Sequence, residues 1–588
     1  KQELYQLDDR PISHDELTSD GGVPMVRTAA VQRDEHMLAP WMNRMEPLIL
    51  VGPEGAGKNL LLSSMLASSR STQVAVVHCS AQTLSTHVIH KLSQACQMQQ
   101  TQAGRVYRPK EASRVVLYLK DINLPKPDKY ETAELVAFLQ QLITYNGFYD
   151  KSLEFIGLKD VHVVASMNPS TNVGRYQLST RFTANVRLAY VSYPDKESLN
   201  SIYSALLAPV FAQQCKGSAV WEQPGAARKL AACMVDVWEG TRKKFSVDEQ
   251  RHYLFTPRDL TAWLRGLLRY ELVDQNEAVY ETWAFEANRV LRDRLVSRQD
   301  RARFDSIVSS ALRSHFNHAL EDEGITYSPL LVGAAERVGA APDRALVLKR
   351  CKEADMLVEV GRGLKAFERE IKELNLVLFP EALAHALRME RVLSTPGGHL
   401  LLVGSSGVGR RSLLTLVCYM HGIELLSPAL TRDYSLKSFR AELKTILPKA
   451  GVQGTPICLL LEDHQLRSDA IIEVVNSILS SGEVPGLYEP QELEPLLAPL
   501  KEEMGDKGFK HRSLFDFFVA RVQRYLHLAL CMDPANEGFL LRCESNPALY
   551  MRCSMLWMGS WDVASMERLP LQVFAGVPEE HLAAADRP

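Results

Sequence analysis

Twice in this chain an apolar strand runs into a glycine-rich loop and then into an apolar segment able to begin a helix. Residues 48–62 read Leu-Ile-Leu-Val-Gly-Pro-Glu-Gly-Ala-Gly-Lys-Asn-Leu-Leu-Leu, and residues 400–414 read Leu-Leu-Leu-Val-Gly-Ser-Ser-Gly-Val-Gly-Arg-Arg-Ser-Leu-Leu. Their first glycines, Gly52 and Gly404, stand 352 residues apart. That spacing far exceeds the roughly 20–50 residues of a solenoid repeat, so each copy heads a whole module. Two modules of two units each match the 588-residue length at ~150 residues per folding unit.

Each copy continues in the same order. In the first, Val115–Leu119 is a short β-rich run ending in Lys120-Asp121, and Val161–Met167 another ending in Asn168-Pro169. In the second, Ile457–Leu461 ends in Glu462-Asp463, and Leu526–Met532 in Asp533-Pro534. Short apolar strands alternating with helical stretches predict an α/β fold with a parallel sheet, whose ligands bind beyond the carboxyl ends of its strands. Residues 195–327, with helical patterning at Ala226–Phe245 and Asp259–Leu272, are expected to form a helical lid. The large α/β parts are then 1–194 and 328–562, with the joint in the Gly/Ala/Pro-rich stretch Ser328–Pro342 and a second lid beginning at 563–588. The longer interval in the second copy predicts a charged helical insertion at about 489–524, the alternative being a solvated surface hairpin.

Composition narrows the function. With 67 Lys and Arg against 70 Asp and Glu, no global basic field argues for nucleic acid or an anionic membrane. Ten scattered cysteines without a C-x-x-C pair suggest neither a disulfide framework nor a zinc cluster, and fit a reducing compartment. No apolar run reaches the ~18 residues of a membrane span. The start, Lys1-Gln-Glu-Leu-Tyr, resembles neither a signal peptide nor an initiator, so the expectation is a soluble piece of a longer chain.

Gly52, Pro53, Glu54, Gly55, Ala56, Gly57 and Lys58 satisfy G-x-x-x-x-G-K, the loop whose N–H groups cradle phosphates while its lysine reaches the β/γ oxygens. The next position ordinarily supplies a hydroxyl to Mg²⁺, and here it is Asn59; the acidic strand end ordinarily reads Asp-Glu, and here it is Lys120-Asp121. An ammonium at position 120 brings positive charge but no metal ligand. The expectation is a site that binds ATP or ADP and turns it over slowly or not at all. In the second loop Gly404, Ser405, Ser406, Gly407, Val408 and Gly409 keep the glycines, while Arg410 and Arg411 replace Lys-Ser/Thr with a bulkier planar fork. Glu462 remains as a metal candidate and Asp463 as a catalytic carboxylate. Asn168 is a candidate for orienting the γ-phosphate or water, or else a turn residue, and Asp533 holds the matching place. Arg258, at a helix start in the lid, is a candidate γ-phosphate contact or a surface ion pair. Arg181 and Arg552, each following the fourth strand, stand where an arginine finger faces a neighbouring module.

Taken in order, the phosphate loop, acidic strand end, Asn-Pro, Arg-Phe and lid Arg-Asp-Leu-Thr resemble the AAA+ modules of dynein heavy chains. Asp121–Tyr130, Leu139–Tyr149, Met167-Asn168-Pro169 and Gly482–Tyr488 carry the likeness, which points to the third and fourth ring modules. Lys120-Asp121, Arg410-Arg411 and Glu544–Leu549 are most similar to the cytoplasmic dynein 2 subfamily, the motors of retrograde intraflagellar transport. The resemblance implies two tandem AAA+ modules, each a P-loop large domain with a helical small domain. It implies Lys58 as the phosphate lysine, Asp121 in the catalytic-carboxylate position, Asn168 as sensor I, Arg258 as sensor II, and Arg552 completing the first site from the second module. Arg181 would serve the preceding module. ATP or ADP follows as cofactor, with Mg²⁺ open. The implied partners are the remaining heavy-chain modules, microtubules through the stalk, accessory chains and intraflagellar transport trains, in cytoplasm, cytoskeleton and cilium, without nucleic acid or membrane. Nucleotide-binding regulatory modules, hydrolysis-competent gating modules and a nucleotide-free scaffold are the readings it leaves open.

Overall fold

A computed structural model describes residues 10–570 except 19–22, 68–70, 271–275, 321–324, 331–345, 430–433, 507–512 and single or paired positions elsewhere. In the first module β1 (Leu48–Val51) leads through the glycine loop into helix α1 (Lys58–Ala67). With β2 (Thr72–His78), β3 (Arg114–Lys120), β4 (Val161–Met167) and β5 (Arg187–Tyr190) it forms a parallel sheet of order β2-β3-β4-β1-β5. Its central strands are apolar on both faces because both are covered. Ile49, Leu117 and Leu119 pack into one core, and Leu48, Leu50, Val116 and Tyr118 into another.

The lid's helices include Lys196–Gln214, Ala226–Lys244 and Arg298–Phe316, around a core that includes Trp238, Trp263 and Trp283. Its helix α2 (Pro257–Leu267) begins two residues before the expected Asp259 and ends at Leu267. Proline at its first turn and a reciprocal Thr256–Asp259 cap fix that start.

The second module repeats the first. Helix α3 (Pro380–Leu393) precedes β6 (His399–Val403), the second loop and helix α4 (Arg410–Met420). With β7 (Glu424–Leu426), β8 (Ile457–Glu462), β9 (Leu526–Met532) and β10 (Cys553–Trp557) the sheet order is β7-β8-β9-β6-β10, the same permutation.

One element was not anticipated from the sequence. A further four-stranded sheet lies within the first large domain, built from Cys96–Thr101, Gly104–Pro109, Phe155–Leu158 and Gly147–Tyr149. The insertion is three helices, Pro490–Leu497, Leu500–Asp506 and Leu514–Tyr525. It is no solvated hairpin, since Phe517, Phe518 and Val522 are buried in the second module's core. The expected joint falls largely outside the described residues, and is bracketed by strands Ile325–Ser328 and Lys349–Lys352, which pair antiparallel. Most of 563–588 also lies outside them. All ten cysteines are buried and none forms a disulfide, and no described helix is long and apolar enough to cross a membrane.

Candidate functional site

Both glycine loops leave the sheet between the same two neighbours, and the approach is too close for a side chain. A Cβ on Gly52 would lie 2.3 Å from the Val191 carbonyl oxygen, and one on Gly404 would lie 2.4 Å from that of Met558. Matching hydrogen bonds hold the loops: Gly52 N donates to Met167 O (3.3 Å), and Gly404 N to Met532 O (3.1 Å).

At the first loop the N–H groups opening α1 have no intrahelical acceptor and face outward with the positive end of the helix dipole, which is what a phosphate requires. Lys58 Nζ folds back over the loop, donating to Gly52 O (2.6 Å), Pro53 O (2.9 Å) and Asn168 Oδ1 (2.9 Å). Asn168 is therefore part of the site and buried. Its own carbonyl accepts from Asn123 Nδ2 at 2.8 Å, which fixes the Asn-Pro strand end. Burial brings Lys58 down to a pKa of about 8.

The other predicted groups come from separate elements. Asp121, just beyond β3, adopts a left-handed backbone (φ 58°) and pairs with the buried Arg175 guanidinium at 3.5 Å. Arg258, at the start of α2, reaches Glu54 of the loop at 3.6 Å. Glu54 is pushed up by burial, with Arg258 and Arg175 opposing. Arg552, at the end of the short helix Ala548–Arg552, lies within electrostatic reach of Lys120 and His78. One module thus contributes loop, strand ends and lid, and the next contributes an arginine. Arg181 sits exposed on the short helix Thr180–Thr183, outside this group.

Four participants were not singled out from sequence. Arg175, Glu54 in its pairing role, Tyr118 and Ser166 surround the loop: the Tyr118 hydroxyl donates to Asn59 Oδ1, and Ser166 Oγ approaches the same oxygen at 3.4 Å. Strand alternation, which puts Tyr118 and Lys120 on one face, was the available signal for Tyr118. No local signal marks Arg175. Its buried Nη1 has no hydrogen-bond partner, so an anion beside Asp121 and Glu54 would find a donor waiting. That orphan, with the loop amides and Lys58, fits a nucleotide polyphosphate.

The second loop is wired differently. Arg410 Nη1 donates to Met532 O (2.8 Å), so its guanidinium caps the end of β9. Arg411 pairs with Glu462 at 3.5 Å, and His464 approaches the same carboxylate at 3.7 Å. Asp463 Oδ2 accepts from Asp533 N (2.5 Å) and its Oδ1 lies 3.5 Å from Arg542; burial raises its pKa. Asp533 does not reach the loop's cation as Asn168 does, because its Oδ1 closes a turn onto Ala535 N (3.0 Å). Among the described residues no group of three or more His, Cys, Asp or Glu side chains is disposed to hold a metal.

Comparison with known proteins adds the family. Residues 22–194 match the family described as P-loop containing dynein motor region, 207–301 the dynein heavy chain ATPase lid domain, and 374–582 the P-loop containing dynein motor region D4. The chain is 44% identical over 573 residues to cytoplasmic dynein 2 heavy chain 1 of Tripneustes gratilla and 44% over 578 residues to that of Homo sapiens, each time across 96% of this chain. It is 31% identical over 561 residues to a cytoplasmic dynein heavy chain of Caenorhabditis elegans. The chain spans about 13% of the length of the dynein 2 relatives.

Proposed function

Because this chain belongs to the dynein heavy-chain family, we propose that it supplies the third and fourth nucleotide modules of a motor ring of the dynein 2 type, serving minus-end-directed retrograde transport in cilia. In this role the chain binds ATP or ADP as a regulatory and structural ligand and hydrolyses it slowly or not at all. The observation that carries the reading is the convergence at the first loop: Lys58 spans to Asn168, and Arg258 of the lid and Arg552 of the following module approach the same place. When bound, the nucleotide supplies the phosphate charge that these cations await.

Asn168 orients Lys58 toward the loop mouth, Arg258 ties the lid to the loop through Glu54, and Arg552 ties on the next module. Asp121 is a poor base here. It is one methylene shorter than the usual glutamate and already engaged by Arg175. The second loop keeps its glycines and two carboxylates, but Arg411 neutralises Glu462, so a structural nucleotide suits it better than turnover. The remaining heavy-chain modules, microtubules reached through the stalk, and accessory and transport-train proteins are the partners this role requires.

Denaturing the purified chain and quantifying released ATP and ADP tests the reading. Near-stoichiometric nucleotide, lost site by site in Lys58→Ala and Arg410→Ala, is expected. A well-folded, nucleotide-free chain would overturn it.

A further inference from the structure

Mg²⁺ ordinarily sits between the residue after the phosphate-loop lysine and the acidic end of the third strand. In the first site both places are filled by groups that repel or ignore a metal. Asn59 turns its one possible ligand atom, Oδ1, inward to accept from the Tyr118 and Ser166 hydroxyls. Its remaining polar atom, Nδ2, is a donor and cannot ligate a cation. Lys120 takes the strand-end position. It lies two residues beyond Tyr118 on the same face of β3, with Nζ 5.6 Å from that ring's centroid, so it projects to the side on which Asn59 and α1 lie. The next carboxylate, Asp121, is engaged by Arg175 at 3.5 Å.

The charge around the loop points the same way. Lys58, Lys120, Arg175, Arg258 and Arg552 act on one another electrostatically, with Glu54 and Asp121 opposing them. That surplus of cations, drawn from strand ends, loop, lid and the following module, is suited to a polyphosphate carrying its full negative charge. A polyphosphate already half neutralised by a metal matches it less well.

We propose that the first site binds its nucleotide without Mg²⁺, the Lys120 ammonium supplying the positive charge that a hydrated metal supplies beside an ordinary phosphate loop. This rests on the nucleotide reading of that loop given above. Burial and the nearby Arg552 lower Lys120 to a pKa of about 8 in the free chain, and a bound polyanion raises it again, so the ammonium persists when it is needed. The second site is the internal contrast: it keeps Glu462 and Asp463 where the first has Lys120 and Asp121.

Equilibrium binding of a fluorescent ADP to the whole chain, in excess Mg²⁺ and in excess EDTA, separates the possibilities. First-site binding is the part absent from Lys58→Ala. The parent's expected binding is no weaker in EDTA than in Mg²⁺, where the metal competes for the free nucleotide, whereas Lys120→Asp binds at least ~10-fold more weakly in EDTA and recovers in Mg²⁺. With Mn²⁺ in place of Mg²⁺, paramagnetic resonance is expected to detect first-site Mn²⁺ in Lys120→Asp and none in the parent. Lys120→Met, which keeps the apolar stem, is expected to weaken binding equally in both conditions, and melting curves check its fold. Parent binding that falls ~10-fold or more in EDTA, or first-site Mn²⁺ in the parent, overturns the inference while leaving the nucleotide reading intact. No first-site binding in either condition overturns both.

Discussion

Lys58 and Lys120 are held by burial at a pKa of about 8 each, so both titrate just above neutrality in the free chain. Bound phosphate favours the ammonium form and raises both values. First-site affinity is therefore expected to be flat below about pH 7 and to fall as pH rises through 8, by up to about tenfold per unit for each lysine. Calorimetric titrations at about pH 8.5 in buffers of different ionisation enthalpy should show proton uptake on binding, and none would contradict the assignment. For folding the sign is opposite to that of a salt-bridged lysine. The unfolded side chain titrates near ~10.4, so between about pH 8 and 10.4 the native state holds fewer protons and ligand-free stability rises with pH. That the loop meets Asn168 at a neighbouring strand end could be expected from the sequence, because a phosphate-loop pattern fixes residue type and spacing within a few positions. Arg175 could not, because its meaning comes from Asp121, which lies across a loop rather than a helical turn away. Asp533 had the right position in the repeat, but an aspartate followed by proline closed its own turn instead.

At the scale of elements, the start of α2 decides where Arg258 stands. Asp259 Oδ2 accepts from Thr256 N at 2.7 Å, and its Oδ1 accepts from Arg294 Nη2, also at 2.7 Å. Asp259→Ala removes both, and is expected to destabilise the chain by about 1–2 kcal/mol in denaturant melts. Nucleotide affinity should also fall, because Arg258 then loses its fixed approach to Glu54. An unchanged affinity would show that the cap matters to the lid alone. The sheet strands were readable as strands because burial on both faces makes them short apolar runs. The additional sheet was not, since Cys96–Thr101 reads Cys-Gln-Met-Gln-Gln-Thr, with Gln97, Met98 and Gln100 exposed and only Cys96 buried. A polar strand of that kind is stabilised by its ladder and one covered face, neither of which leaves an apolar run.

Across the whole molecule, lid and second module meet through buried charge. Arg269 of the lid donates to Leu346 O (3.1 Å), Arg391 O (2.8 Å), Ser394 Oγ (2.8 Å) and Thr395 Oγ1 (2.9 Å). Arg391 of α3 pairs with Glu286 of the lid, which is fully buried and also accepts from the Tyr270 hydroxyl at 2.5 Å. Arg391→Ala leaves that carboxylate uncompensated and is expected to cost about 3–5 kcal/mol. The double variant Glu286→Gln with Arg391→Met should recover much of this, and denaturant melts of the pair and both singles measure the coupling. The repeat itself was legible from two glycine loops, but this contact was not, because its partners are some hundred residues apart and neither sits in a motif. Its consequence is practical and concerns where the chain can be cut. A cleavage or expression boundary drawn in the Gly/Ala/Pro-rich stretch, where composition alone divides the chain, would strip Glu286 and Arg269 of their partners. A fragment that keeps the lid and the second sheet together should survive where a single-module fragment precipitates.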